Sequence, residues 1–307
     1  MPNTNTLQTL SAEAKTFYDK TLLARLLPTL VFAKFGQKKS IPSRSGKTIE
    51  FRKFASLAPA TTPLTEGVTP TGKSLSVSAI TASVSQYGDY VEISDVLDLV
   101  GIDPVLTESA ELLGEQAGLT IDNVVRDVVC SGTNILYAGG RANTDAVTSD
   151  DKISADLVAR AVVILKKANV KKFDGKHYIG IVDPETSYDL MKDPLWLDIS
   201  KYSGGKAIMD GEIGKLHGVR FIETTETLVK ENTSGVDVHC SMIIGKDAYG
   251  VVDVDGKVKP ENIVKGFGSA GTADALDQRA TSGWKAMFTA KRLDEDCMVR
   301  IEHAVTE

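Results

Sequence analysis

The sequence has few cysteines, no long apolar run and no export signal, and each absence excludes a class of protein. Its three cysteines, Cys130, Cys240 and Cys297, lie far apart and form no C-x-x-C pair, which argues against a disulfide framework or a zinc motif. No window approaches the roughly 18 consecutive apolar residues of a membrane span. Residues 1–8 are polar and lack the basic and apolar parts of a signal peptide. We therefore expect reduced cysteines, synthesis in the cytoplasm and no membrane partner.

The composition that remains suits one large domain, or two lobes that share a core. The chain has 307 residues, of which 42% are hydrophobic and 25% are charged. Residues 1–58 carry ten Lys and Arg against three acids, which is +7, so the net charge of −6 leaves −13 for the rest. Such a basic segment can bind nucleic acid, dock on the acidic body of a neighbouring copy, or stay solvated.

The first 35 residues have the spacing of one or two short helices. Apolar residues recur at Leu7, Leu10, Ala14 and Phe17, and Pro28 interrupts the pattern because it cannot donate a helical hydrogen bond. We expect an arm that precedes the main body and needs a partner surface.

Residues 41–95 predict an extended β-hairpin. A first strand begins near Ile49, a stretch rich in Pro, Thr and Gly follows, and a second strand runs on from Leu75. The alternation changes phase between Val77 and Ile80, as a β-bulge would cause. Because a two-stranded ribbon is only marginally stable alone in water, the hairpin is expected to contact another surface, which indicates assembly.

A long helix is predicted over residues 103–130. Asp103 supplies an N-cap and Pro104 fits the first turn, and the helix would be about 40 Å long. Gly114 and Gly118 lie inside it and mark either close packing or a bend. The apolar stripe is expected at Leu106, Ala110, Leu113, Ala117, Val124 and Val128.

The rest of the chain alternates helix and strand and then returns to strands. Ser154 and Asp183 are expected to cap two helices, with a short apolar strand at 178–182 between them. In the last segment, 284–304, alternate residues from Trp284 onward share one face. Further strands are expected at 218–223, 242–244 and 250–254. The chain is therefore mixed α and β throughout.

Two glycine motifs match nucleotide-binding patterns, but the secondary structure predicted around them does not fit a nucleotide site. Gly67, Gly72, Lys73 and Ser74 match the phosphate-loop pattern G-x-x-x-x-G-K-[ST], but a strand pattern follows where a phosphate loop requires a helix. We interpret them as the tip of the hairpin, with an NTPase as the alternative. The G-x-G-x-x-G match at 266–271 has too few residues after it for a second half-domain, and a dinucleotide oxidoreductase is the corresponding alternative.

The remaining chemistry-bearing residues do not form a site in the sequence. The histidines His177, His217, His239 and His303 are scattered and have no i, i+4 partner suited to a metal. Acidic residues at 95 and 98 and at 294–296 stand where caps and turns account for them, and no G-x-S-x-G elbow occurs. We therefore predict no catalytic residue, no metal, no cofactor and no enzyme activity.

Seven short segments, in this order along the chain, carry a resemblance to a known family. They are SGKTIEFRK at 45–53, TEGVTP at 65–70, YGDYVEISD at 87–95, GEIG at 211–214, GVRFIET at 218–224, GWKA at 283–286 and VRIEHA at 299–304. Together they resemble the major capsid proteins of tailed bacteriophages, and more narrowly the branch typified by the capsid protein of coliphage N-four. The resemblance spans about residues 10–304.

The resemblance implies the α+β Hong Kong 97-type capsid fold and a division of the chain. The division would be an N-terminal arm at 1–40, an extended loop at 41–95, a peripheral domain at 96–152 and 256–307 with its spine helix at 103–130, and an axial α/β domain at 153–255.

The same resemblance implies a function and partners. Such a protein builds an icosahedral head from hexamers and pentamers of itself, around double-stranded DNA that it encloses without sequence-specific binding. The implied partners are other copies of the chain, a separate scaffolding protein and a portal, with a decoration protein left open. The implied location is the virion, after assembly in the host cytoplasm. A nanocompartment shell subunit of the same fold, enclosing enzyme cargo, is the alternative within this structural class.

Overall fold

The computed structural model describes residues 30–42, 44–100, 105–196, 212–254, 260–269 and 274–306. Four expectations lie outside the described residues, in whole or in part: most of the arm, the capping residues of the long helix, the place of Leu106 in its apolar stripe, and the last two residues of the G-x-G-x-x-G match.

The described part of the chain contains five α-helices, three short 3₁₀ helices and fourteen strands. The helices are α1 (Phe32–Phe35), α2 (Asp95–Val100), α3 (Val105–Cys130), α4 (Ala155–Lys167) and α5 (Pro184–Lys192). The first seven strands are β1 (Gln37–Ile41), β2 (Thr48–Phe54), β3 (Val77–Ser83), β4 (Ser85–Ser94), β5 (Ile135–Tyr137), β6 (Tyr178–Val182) and β7 (Glu212–Leu216). The other seven are β8 (Val219–Glu223), β9 (Leu228–Glu231), β10 (Asp237–Ile244), β11 (Tyr249–Val254), β12 (Glu261–Lys265), β13 (Arg279–Arg292) and β14 (Met298–His303).

The larger sheet has seven strands and is covered on both faces. Its order is β5-β14-β10-β6-β8-β7, and β9 also pairs with β10. Met242 and Ile244 of β10 belong to the core cluster that contains α3, whereas Ile243 between them belongs to the cluster that contains α4. Seven of the eight residues of β10 are buried, and its last three are all apolar, as expected where a strand is covered on both faces.

The smaller sheet has five strands and collects segments from distant parts of the sequence. Its order is β1-β11-β13-β12, and β4 pairs with β13 over ten residues. On β13, Trp284, Ala286, Phe288 and Ala290 are all buried, so the predicted shared face is confirmed. The packing of α3 on β13 joins this sheet to the larger one in a single core.

The sheets do not follow the predicted boundaries along the chain. β5 and β14, from the predicted peripheral segments, pair into the larger sheet, and β11, from the predicted axial segment, pairs into the smaller one. β1 and β4, expected in the arm and the extended loop, are also strands of the smaller sheet. The division into domains remains a prediction, because sheet membership alone does not define a domain.

The segment that leads into β1 is buried in the body, whereas the arm was expected to need a partner surface. Phe32 has no exposed surface. The carboxylate Oδ1 of Asp122 on α3 accepts hydrogen bonds from the backbone N–H groups of Val31 (3.0 Å) and Ala33 (3.1 Å). The hydroxyl of Tyr249 donates to the carbonyl of Phe32. These contacts fix the described end of the arm to its own subunit.

Helix α3 is continuous, and its buried face differs in part from the predicted stripe. Ala110, Leu113 and Ala117 are buried as expected, but Val124 and Val128 are only half-buried at the edge of the core. The fully buried aliphatic positions of the second half are Ile121, Val125 and Val129. They continue from Ala117 in steps of four, which keeps them on the face that packs on β13. Gly114 and Gly118 are both buried, which favours close packing over a bend.

The predicted hairpin forms from β2 and β3, but without the predicted bulge. The register runs unbroken from Thr48 opposite Ser83 to Phe54 opposite Val77. Val77 pairs with Phe54 on the exposed face, whereas Ile80 lies on the inner face. The change of phase in the sequence therefore arises because the apolar residues switch from the outer face of β3 at Val77 to its inner face at Ile80. No extra residue is inserted.

Candidate assembly surfaces and a buried polar cluster

The outer part of the hairpin, residues 52–79, is exposed at every residue. We call this segment the hairpin tip. Its charges are three basic side chains against one acid, which is +2. Its large exposed apolar residues are Phe54, Leu57, Leu64, Val68, Leu75 and Val77. A two-stranded ribbon with apolar side chains and free sheet edges is suited to dock on a second surface.

The base of the hairpin is attached to its own body. Phe51 and Ala82 are buried in a small cluster with Ile41 of β1 and Val252 of β11. The ammonium of Lys53 donates a hydrogen bond to Asp294, and this bond raises the pKa of Lys53. The hairpin is thus fixed at one end, up to Lys53 at the start of the tip, while the large apolar side chains of the tip are exposed.

A second exposed apolar surface follows β4. Helix α2 has no buried residue, although four of its six side chains are apolar. Leu99 is 87% exposed and Val100 72% exposed. An amphipathic helix normally packs one face on the core, whereas the apolar side chains of α2 are left exposed among the described residues.

The residues of the phosphate-loop pattern lie in the hairpin tip, in the loop between β2 and β3. The Nζ atom of Lys73 donates a hydrogen bond to the carbonyl oxygen of Ala58, at 2.8 Å. Three residues after Ser74, strand β3 begins at Val77. The amides of this loop are therefore not followed by the helix N-terminus that would hold a phosphate.

The cysteines and the acidic turn residues have structural surroundings. All three cysteines are free thiols, as predicted, and burial raises the pKa of Cys130 to about 11, which opposes thiolate chemistry. Asp294 holds Lys53, and Oε1 of Glu295 accepts from the backbone N–H of Thr133 (2.6 Å) and of Asn134 (3.0 Å).

Two of the histidines predicted to be scattered are brought together. His239 of β10 lies directly opposite His303 of β14, with ring centroids 6.3 Å apart. Nδ1 of His239 is 3.1 Å from Oδ2 of Asp183, which also accepts from the N–H of Thr186. Burial alone would raise the pKa of Asp183, but the hydrogen bonds from His239 and Thr186 lower it to about 2. Sequence spacing gave no sign of this cluster, because it depends on strand register between residues 64 apart.

A second buried polar group lies beside the histidines on β14. The side chain of Glu302 has no exposed surface and lies 2.9 Å from Nε of Arg300 and 3.0 Å from Nζ of Lys230. The hydroxyl of Thr144 also donates to Glu302, at 2.6 Å. Burial alone would raise the pKa of Glu302, but these partners lower it. Three polar residues of the VRIEHA segment are therefore part of the interior.

Among the described helices, none has the length and apolar character needed to cross a membrane. No protein-family model matches the sequence, and no curated protein matches it either.

Solved structures of phage capsids have a similar fold. The capsid of Ralstonia phage GP4 matches with a TM-score of 0.73 and 13% identity, over 89% of this chain and 88% of that chain. The capsid of cyanophage P-SCSP1u matches with a TM-score of 0.68 and 17% identity, over 90% of this chain and 89% of that chain. An encapsulin complex from Synechococcus elongatus matches with a TM-score of 0.57 and 8% identity, over 99% of this chain and 92% of that chain. At these identities the likeness concerns the fold, and the chain has the mixed α and β fold of these phage capsid chains.

Proposed function

We propose that this chain is the major capsid protein of a tailed bacteriophage, of the Hong Kong 97 type and the N-four-like branch. It assembles into hexamers and pentamers of an icosahedral head around double-stranded DNA. Its role is structural and needs no catalytic residue. The observation that carries the proposal is the hairpin tip, exposed at every residue, on a body whose fold is that of phage capsid chains.

The physical reason is that the hairpin tip has too little packing to be stable as it stands. A two-stranded ribbon is marginal in water, and the apolar side chains of this one are exposed, with no cover from the residues that the structure describes. A neighbouring copy supplies the missing surface. Weak contacts of this kind add up in a closed symmetric shell, because each subunit is held by several neighbours at once.

The charge distribution supports contacts between copies over tight binding to DNA. The acidic remainder of the chain carries −13 against +7 for residues 1–58, so the two parts of neighbouring copies attract each other. Part of the basic charge is used within the subunit, because Lys53 pairs with Asp294. A wall that contains DNA does not need to bind it tightly.

The proposed layout keeps the arm at 1–40, the extended loop at 41–95, the axial domain at 153–255 and the peripheral segments at 96–152 and 256–307. The hairpin tip would be the part of the extended loop that reaches a neighbour. The scaffolding protein, the portal and any decoration protein would be separate chains, and the assembled protein would be found in the virion.

The experiment is light scattering of the purified chain, produced with and without the scaffold genes of its phage. We expect shells, or rings of five or six subunits. A discrete monomer or dimer under both conditions would contradict the proposal.

The contents of such shells separate the two shell functions. A phage head packages DNA through its portal, whereas a nanocompartment encloses an enzyme. Both functions need testing because an encapsulin complex also has a similar fold. Heads from infected cells should contain double-stranded DNA and no enriched enzyme. Enrichment of one enzyme inside the shells would favour the nanocompartment.

The nucleotide alternative has its own test. An NTPase that uses Lys73 would bind ATP, and Lys73→Ala would abolish that binding. We expect calorimetry to detect no ATP binding by either protein.

A further inference from the structure

A surface pocket beside His239 is lined by groups that ligate metal ions. The pocket measures about 590 Å³ and is lined in part by Asp150, Glu185, Asp237 and His239. Lys152 also lines it, but its ammonium donates to the hydroxyl of Thr306, at 2.6 Å. The pocket thus combines one imidazole with three carboxylates.

The hydrogen bonds of Asp183 determine which nitrogen of His239 faces the pocket. Asp183 accepts from the N–H and the hydroxyl of Thr186 and lies 3.1 Å from Nδ1 of His239. An ionised carboxylate can only accept hydrogen bonds, so Nδ1 carries the proton. In the neutral ring the lone pair is then on Nε2, which lies 3.6 Å from Oε2 of Glu185.

This arrangement matches the requirements of a metal-binding histidine. Such a histidine almost always donates its second N–H to a carboxylate or carbonyl, which fixes the ring and its tautomer. Two ligand atoms on a tetrahedral zinc ion lie about 3.4 Å apart, given bond lengths of about 2.0–2.2 Å. The 3.6 Å between Nε2 of His239 and Oε2 of Glu185 is close to this value. Asp183, Glu185 and His239 place ligand atoms within 4.8 Å of one another.

We propose that His239 and Glu185, whose ligand atoms already lie close together, bind a divalent transition-metal ion of the Zn²⁺ class, and that Asp237, which lines the same pocket but is not in contact with them, moves in as a third ligand. Asp237 stands two residues before His239 on β10, so the two side chains are on the same face of the strand, and both line the pocket. One imidazole and two carboxylates form a donor set that zinc accepts. Asp183 is a positioning residue that orients the ring of His239.

The neighbouring histidine does not take part. Nδ1 of His303 lies 3.0 Å from the carbonyl of Ala304 and therefore donates to it, and Nε2 accepts from the hydroxyl of Ser241, at 2.9 Å. Both nitrogens of this buried ring are used. A bound metal ion would connect the first turn of α5, through Glu185, to β10, and would stabilise the larger sheet. This inference does not depend on shell assembly.

The test is a calorimetric titration of the full chain with Zn²⁺, using protein without a polyhistidine tag and freed of metal by chelation. We expect one Zn²⁺ per chain. Glu185→Gln should weaken binding at least about tenfold and His239→Gln should abolish it, because each removes a direct ligand. His217→Asn is the matched control, since it removes an exposed histidine far from the pocket in sequence, and should leave binding unchanged.

A second titration with Co²⁺ identifies the ligand type. Nitrogen and oxygen ligands give only weak visible bands, whereas a cysteine ligand adds an intense thiolate band in the near ultraviolet. A thiolate band, or Zn²⁺ affinity unchanged in Glu185→Gln and His239→Gln, would overturn the proposal. Because Glu185 is largely exposed, its variant should fold and decides the question even if His239→Gln does not fold.

Discussion

Single buried polar residues hold together parts of this chain that lie far apart in the sequence. Asp122 of α3 connects the long helix to the segment before β1, about 90 residues earlier, through two backbone hydrogen bonds. Its second oxygen, Oδ2, has no hydrogen-bond partner although it is buried. Burial therefore raises the pKa of Asp122 despite the bonds that it accepts.

Replacing Asp122 should release this connection. We expect Asp122→Ala to lower the free energy of unfolding by about 1–3 kcal/mol, because two buried N–H groups lose their acceptor. Urea unfolding of the unassembled subunit measures this change. Asp127→Ala is the matched control, since Asp127 is on the same helix but its side chain is 61% exposed, and it should change stability by less than about 1 kcal/mol. Equal effects of the two variants would contradict this role of Asp122.

The carboxylate of Glu302 neutralises the buried Arg300 and the half-buried Lys230, so its removal should be costly. We expect Glu302→Gln to lower the free energy of unfolding by about 3–5 kcal/mol, because Arg300 and Lys230 are left without their partner. Glu231→Gln, at an exposed position on β9, is the control and should be near neutral. A small effect of Glu302→Gln in denaturant unfolding would show that the cations find other partners.

Glu302 should also make the free energy of unfolding depend on pH in the acidic range. The pKa of Glu302 is lower in the folded protein than its ordinary value. Its contribution is therefore fully present above the ordinary glutamate pKa of about 4.3 and is lost as the pH falls through the lower folded value. We expect unfolding curves measured from pH 5 downward to show a smaller loss of stability for Glu302→Gln than for the unchanged protein. Parallel curves would contradict this assignment.

Among the helices and strands, local sequence signals predicted most elements. What they did not predict was which distant element each strand pairs with. Ser154 and Asp183 cap α4 and α5 through hydrogen bonds to Leu157 and Thr186, as the sequence indicated. The strand at 178–182 was predicted at its observed bounds. These features depend on neighbours within a few residues.

Features that depend on distant partners were not predictable in the same way. Strand β4 pairs with β13, nearly 200 residues later. In the sequence, the strand pattern of β3 runs on into β4, so nothing there indicated that β4 leaves the hairpin and joins another sheet. The His239–Asp183 contact likewise needs the register of β10 and β6. The inner stripe of α3 was displaced after Ala117, because valines on adjacent positions left the sequence compatible with either face.

The hairpin tip can be tested as an element. We expect a variant with Leu64→Ser and Val68→Ser to keep its subunit stability within about 0.5 kcal/mol, because both side chains are exposed. Its assembly should be strongly reduced, because the same side chains would be covered by a neighbour. Sedimentation of assembled against free protein measures this. Val163→Ser, at an exposed position on α4, is the control and should assemble. Normal assembly of the tip variant would exclude these side chains from the contact.

For the whole molecule, charge should influence how readily copies associate. The +7 of residues 1–58 and the −13 of the remainder attract between copies, and salt screens this attraction, with a Debye length of about 10 Å at 0.1 M and 3 Å at 1 M. We expect light scattering to show that a higher protein concentration is needed for assembly as salt is raised. Assembly that does not respond to salt would leave the apolar surfaces as the main source of association.

Closure of copies of this chain into a shell can be observed by cryo-electron microscopy of the purified protein. We expect closed particles built from rings of five and six subunits, with the hairpin tip of each copy lying on a neighbour. Particles in which the tip touches no other copy, or protein that stays monomeric at every concentration and salt tried, would contradict this expectation.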